Sequence, residues 1–162
     1  MAKYEKVHIE GLAELANALR ELPVRVQRNG LRVSVYAGAK VIREEARVRA
    51  PVAAQYLGPD QPPPGTLKRS IIMKQIPELS NLTRQTFFVM VRHGKKYRHQ
   101  GKRGNLSQDA WYWRFLEFGT RKMQARPFLR PALEAKRREA VDAIKERLSL
   151  QIETEAKALN KK

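Results

Sequence analysis

The chain has 162 residues, 42% of them hydrophobic, no cysteine, and thirty-three Lys and Arg against sixteen Asp and Glu, a formal charge of +17. That length suits one domain with a real core. The lack of cysteine excludes disulfides and thiolate metal sites and fits a cytosolic fate, and no apolar run is long enough for a membrane span. The surplus of positive charge favours an acidic partner, either nucleic acid or an acidic ring of a neighbouring protein, over the plain alternative of a solvated basic surface.

The first residues, Met-Ala-Lys-Tyr-Glu-Lys, lack the apolar stretch of a secretory signal. Gly11 to Leu22 reads as a helix, with Leu12, Leu15, Ala16, Leu19 and Leu22 on one stripe. Pro23 interrupts and suits the first turn of a second helix, from about Val24 to Arg49, in which Leu31, Val35, Gly38, Ile42 and Ala46 recur at three and four residues. Gly38, between Ala37 and Ala39, either admits a close neighbour or is a weak spot. Ala50-Pro51 ends that helix, because a residue before proline avoids the α region. Over 57–66, prolines and glycines are too dense for any regular element and predict a long exposed loop.

A strand is expected around Ile71–Ile76, a turn near Asn81, and a second strand over Arg84–Arg92 with apolar residues on both faces. Such a strand is either buried on both sides or uses one face at a subunit contact. The two strands pair as a hairpin. Flanked by helices, they give an α+β fold: one domain over 1–162 with a small antiparallel sheet packed against long helices. A basic, Gly-rich loop over 93–109 follows, suited to reaching phosphates or an acidic partner, or simply to solvent.

Trp111 to Leu133 holds both tryptophans and three of the five phenylalanines. Large aromatics usually anchor a core or an interface. Trp111, Phe115 and Phe118 fall on one face of a short helix. Trp111, Trp113 and Phe115 also alternate as a strand would. The helix is preferred because Gly119 stands where a left-handed cap would end it. Pro127 and Pro131 then open a long helix over 128–158, with Leu129, Leu133, Ala140, Ile144, Leu148, Ile152 and Leu159 as its buried stripe.

No catalytic, cofactor or metal set emerges. His8, His93 and His99 are scattered, and neither a phosphate-binding glycine loop nor a nucleophile elbow occurs. Glu117 between Leu116 and Phe118 is the one acid that stands out. Without a second catalytic group, it reads as a cap or an ion-pair partner of Arg121 or Arg126 that fixes the turn at Gly119-Thr120.

The run Phe-Leu-Glu-Phe-Gly-Thr over 115–120, followed by Arg-Pro-Phe-Leu-Arg-Pro-Ala-Leu over 126–133, resembles the signature of a small-protein family of long-tailed double-stranded DNA bacteriophages. Its members are variously called head–tail joining, tail-completion or minor tail proteins. Arg49 to Pro51 and Gly65 to Ile71 match more loosely, and a proline-rich insert separates them where the family has a Thr-Gly. The resemblance implies a non-enzymatic assembly subunit of the phage neck or tail top. It further implies a homo-oligomeric ring, a hexamer being favoured, that meets a tail terminator, tail tube or head connector and comes near genomic DNA. Such a protein assembles in the host cytoplasm and ends in the virion, away from any membrane. The motif assigns contact or structural roles to Trp111, Trp113, Phe115, Glu117, Phe118, Gly119 and Thr120, and to Pro127, Phe128, Arg130 and Pro131. The rival class is a stand-alone nucleic-acid-binding protein acting through Arg92, Lys95, Lys96, Arg98, Lys102 and Arg103.

Overall fold

The two longest elements, α2 (Val24–Arg49) and α5 (Leu129–Leu159), pack along each other. Their contacts run in opposite chain order, so the helices are antiparallel. Gly38 lies against Ala140 and Ile144, whereas Ala46 and Ala50 share a core with Phe128 and Ala132. A computed structural model describes residues 12–20, 24–54, 62–92 and 110–159. The basic loop over 93–109 and most of the proline-rich loop lie outside them.

Residues four apart line the α2–α5 contact. Gly30, Ser34, Gly38 and Ala46 are buried on α2, with Ala50 just past its end, and Ala132, Ala140 and Leu148 on α5, with Phe128 just before it. Rows at this spacing are the ridges that interlock when helices pack. The α2 ridge is built from small residues, so the backbones come close. A Cβ on Gly38 would sit 2.6 Å from Ile144 Cγ1 and 2.7 Å from the Ala140 carbonyl oxygen. The one polar member, Ser34, donates its hydroxyl to the Gly30 carbonyl at 2.7 Å and so is satisfied within its own helix.

This register corrects the expected α5 stripe. Ala132 is fully buried, and Leu133, one residue and about 100° off the ridge, is 51% exposed. The first helix, α1 (Leu12–Arg20), rests on α5. The side chains of Leu12, Leu15, Leu19, Leu22 and Leu159, expected on apolar stripes, are outside the described set.

Between α2 and α5 the chain makes a hairpin. Gly65 has φ 78°, a left-handed turn into a short helix, α3 (Thr66–Ser70), that the residue pattern did not suggest. β1 (Ile71–Gln75) then pairs antiparallel with β2 (Phe87–Val91), with Ile71 opposite Val91 and Gln75 opposite Phe87. β2 is shorter than the expected strand over Arg84–Arg92, because its first residues serve the turn. The Asn81 side chain accepts hydrogen bonds from the amides of Thr83 at 3.0 Å and Arg84 at 2.7 Å.

The inner face of the hairpin, with Ile71 and Val91 fully buried, meets Ala46, Leu67 and Phe128 in the core. Arg47 of α2 donates to the Ile71 carbonyl at 2.9 Å, and Tyr36 stands edge-on to Phe87 with ring centroids 6.0 Å apart. The outer face stays open at Phe88, which is 46% exposed. The fold is α+β, with a small antiparallel sheet against long helices, as the sequence pattern indicated.

Candidate protein-contact site

The aromatic segment forms a turn and a short helix, α4 (Trp113–Phe118), and the strand alternative is set aside. The turn begins at buried Ala110, whose carbonyl accepts the Trp113 amide at 3.0 Å. One side of α4 faces the core, where Tyr112, Trp113 and Leu116 pack on it. Burial pushes the Tyr112 phenol above its ordinary value, against the opposing influence of the Leu67 backbone and the Arg69 charge. The indole N–H of Trp113 is buried and has no acceptor among the described residues, and the Arg114 guanidinium lies 5.6 Å from its ring centroid.

The other side of α4 is open. Trp111 is 60% exposed, Phe115 44% and Phe118 66%. Trp111 and Phe115 meet edge to face with centroids 5.9 Å apart. The expected aromatic stripe therefore exists at the expected spacing but points to solvent and adds little to the core. Three large apolar side chains are thus left outward along the turn and the short helix that follows it.

What holds this ledge in place is Glu117, which is only 8% exposed. Its carboxylate accepts three backbone amides at the start of α5, Phe128 at 2.8 Å, Leu129 at 3.0 Å and Arg130 at 3.0 Å. A helix opens with four amides that have no partner within it. Here the fourth, Pro131, has no N–H, and the first intrahelical bond runs from Ala132 to the Phe128 carbonyl. One carboxylate thus meets every orphan donor of the helix start, and its negative charge sits at the positive end of the helix dipole. Neither Arg121 nor Arg126 forms an ion pair with it.

The loop between α4 and α5 aims this carboxylate. Gly119 has φ 74° and ψ 179°, a region of backbone space open in practice only to glycine. It differs from the left-handed cap expected there. Its amide bonds the Phe115 carbonyl at 2.9 Å, and a Cβ would lie 2.9 Å from the Ala125 nitrogen. The Thr120 amide donates to the Met123 carbonyl at 2.9 Å, closing a tight turn. The Arg126 amide then returns to the Leu116 carbonyl at 2.7 Å. Pro127 is exposed and Phe128 is fully buried.

From Ala110 to Leu133 the charged residues are Arg114, Arg121, Lys122, Arg126, Arg130 and the buried Glu117, and all five cations are exposed. This cationic rim was not singled out from the sequence. The signal lay in the spacing, since the only acid of the segment is consumed inside. Of the residues put forward for nucleic acid, Arg92 is half-buried and its amide extends the hairpin by bonding the Ser70 carbonyl at 2.9 Å. Lys95, Lys96, Arg98, Lys102 and Arg103 lie outside the described residues. A polar cleft of about 320 Å³ between α2 and β1, lined by Arg28, Asn29, Arg32 and Gln75, was also not foreseen. Among the described residues no cluster of potential metal ligands occurs, and no helix is long and apolar enough to cross a membrane.

A family model described as "Bacteriophage HK97-gp10, putative tail-component" matches residues 13–119, which takes in α1 to α4 and stops before the Glu117-capped start of α5. No curated protein and no solved structure matches the chain.

Proposed function

The chain belongs to the HK97-gp10-like family of bacteriophage tail components, and from that premise we propose that it is a structural subunit of the tail top. There it completes the tail and helps join it to the head as one member of an oligomeric ring, a hexamer by the resemblance of its motif. The whole chain acts as one domain, meeting a tail terminator, tail tube or head connector. The observation that carries this reading is the exposed ledge of Trp111, Phe115 and Phe118, fixed to the body by the Glu117 cap. A surface of this kind serves a partner, and a closed ring needs such contacts repeated from subunit to subunit. The role is non-catalytic: the one acid of the motif has its oxygens turned to backbone amides, away from any substrate space.

Electron microscopy of particles made with and without the protein tests this. Loss of the chain should leave tails that do not attach to filled heads, and the polypeptide should be present in wild-type virions at a fixed copy number. Its absence from virions overturns the proposal. The charge of +17 supports the second reading, a free nucleic-acid-binding protein. That reading requires DNA binding by the isolated chain whose logarithmic salt dependence counts several phosphate contacts.

A further inference from the structure

The ring reading leaves open which surfaces meet, and the distribution of charge narrows the choice. The α4 ledge cannot face its own copy in a two-fold contact. Its rim holds Arg114, Arg121, Lys122, Arg126 and Arg130, none of them ion-paired among the described residues, and from Ala110 to Leu133 it holds no free acid. Two such rims pressed together repel. The ledge therefore calls for an apolar spot bordered by acids.

The chain carries one. On α5, Asp142, Glu146, Leu150 and Glu153 recur at four, four and three residues and fall within an arc of about 80° at 100° per residue. All four are exposed, Leu150 by 47%. Glu44, Glu45 and Glu139 are already paired with Arg43, Arg49 and Lys136, but Asp142, Glu146 and Glu153 make no ion pair among the described residues. The stripe lies on the far side of the helix from Ala140 and Leu148, which face α2; Arg138, Lys145 and Arg147 border it outside the arc, and Lys157 closes it one turn beyond Glu153. In a protein with twice as many cations as anions, three unpaired acids in a line around an exposed leucine form the complement of the ledge.

We propose that the α4 ledge of one copy docks on the Asp142–Glu153 stripe of α5 in the next. Phe115 and Phe118 cover Leu150, and the arginine rim reaches the acids. The two faces are different surfaces of the monomer. From the capped start of α5 to Glu146 is seventeen residues, about 25 Å at 1.5 Å per residue. Such a contact is head-to-tail and closes into a ring when the rotation between copies permits. The proposal rests on the ring reading and adds its interface.

Charge reversal in assembled particles tests it. Arg121→Glu alone and Glu146→Arg alone should each lower the number of copies incorporated per tail about tenfold or more, and the two together should restore it, because each cation meets an acid again. Natural absence of cysteine allows an independent readout. In particles carrying both Arg121→Cys and Glu146→Cys, oxidation should produce a ladder of multiples of 18.7 kDa. Arg121→Cys with Glu134→Cys, whose acid lies outside the arc, should give none. Rings that form normally with either single reversal, or two reversals whose losses add, overturn this interface while leaving the ring in place. Wild-type tails that hold the chain as isolated copies overturn the ring reading and this contact with it. Reversals that abolish DNA binding but spare the ring assign the ledge to nucleic acid and overturn the proposal.

Discussion

Replacing Glu117 with alanine should be the costliest single change at the start of α5. The substitution removes the only acceptor that three amides have among the described residues. Phe128 is fully buried and Leu129 half-buried, while Arg130 is at the surface, where water takes over. Each buried donor left alone costs about 1–3 kcal/mol, and losing a negative charge at a helix start adds up to about 2 kcal/mol in a partly buried site. The sum, about 2–8 kcal/mol, is a large share of the roughly 5–15 kcal/mol that holds an ordinary domain together. For a chain of this size it corresponds to a fall in Tm of about 4–30 °C. Glu117→Gln keeps one acceptor oxygen and should cost less, about 1–2 kcal/mol. Urea and thermal unfolding followed by circular dichroism would rank the three proteins as wild type, Gln, Ala. An alanine variant within about 1 kcal/mol of wild type would refute the accounting of amides given above.

Two glycines with positive φ should respond unequally to alanine. At Gly119 the new Cβ meets backbone, 2.9 Å from the Ala125 nitrogen, and should cost about 3 kcal/mol or prevent folding. At Gly65 it meets only the mobile end of Arg69 at 3.1 Å and should cost about 1 kcal/mol, both read by denaturant midpoints. Gly38→Ala should destabilise the protein despite alanine's better helix propensity. Pushing Ile144 and the Ala140 carbonyl away outweighs a gain of about 1 kcal/mol, so a stabilised variant would show that α2 and α5 are less close than described. Tyr112 holds its proton above the usual value when folded. Below about pH 10 its contribution is intact; as pH rises further the unfolded chain ionises first, and stability falls until the native phenol also titrates. Tyr112→Phe should flatten that alkaline loss in unfolding curves recorded from pH 8 to 11, and an unchanged slope would sink the assignment.

The helices were legible because their ends are written in side-chain chemistry. Arg49 ends α2 just before Ala50-Pro51, and Pro131 stands in the first turn of α5. The hairpin was legible for similar reasons, from Asn81 and the apolar runs on either side. The α5 stripe was misjudged at one position because periodicity rewards the larger residue. Leu133 was preferred to Ala132, although a ridge of glycine, serine and alanine on α2 leaves room for a methyl group rather than an isobutyl. Short α3 escaped because it depends on the backbone of Gly65, a conformation that no side chain announces. The carboxylate of Glu117 drew attention to a cap, but its partners are main-chain amides, which carry no letter in the sequence. Large aromatics at Trp111, Phe115 and Phe118 left core and interface both open, and only the fold reveals that these three are turned outward.

The segment from Glu117 to Pro131 can be understood as one device. Pro127 and Pro131 lack amide hydrogens, so the donors at the helix start are reduced to the three between them. Three donors fit within the roughly four lone-pair sites of one carboxylate, and Glu117 accepts all three. To reach them α4 must end and the chain must double back, which Gly119 allows and the Thr120–Met123 turn completes. Once the carboxylate is buried there, no acid among the described residues from Ala110 to Leu133 remains to balance the arginines, and the aromatic side of α4 has no place in the core. The same bond that starts the longest helix therefore leaves behind an apolar, cationic ledge, so that weakening the cap should blunt assembly even at temperatures where the rest of the molecule stays folded.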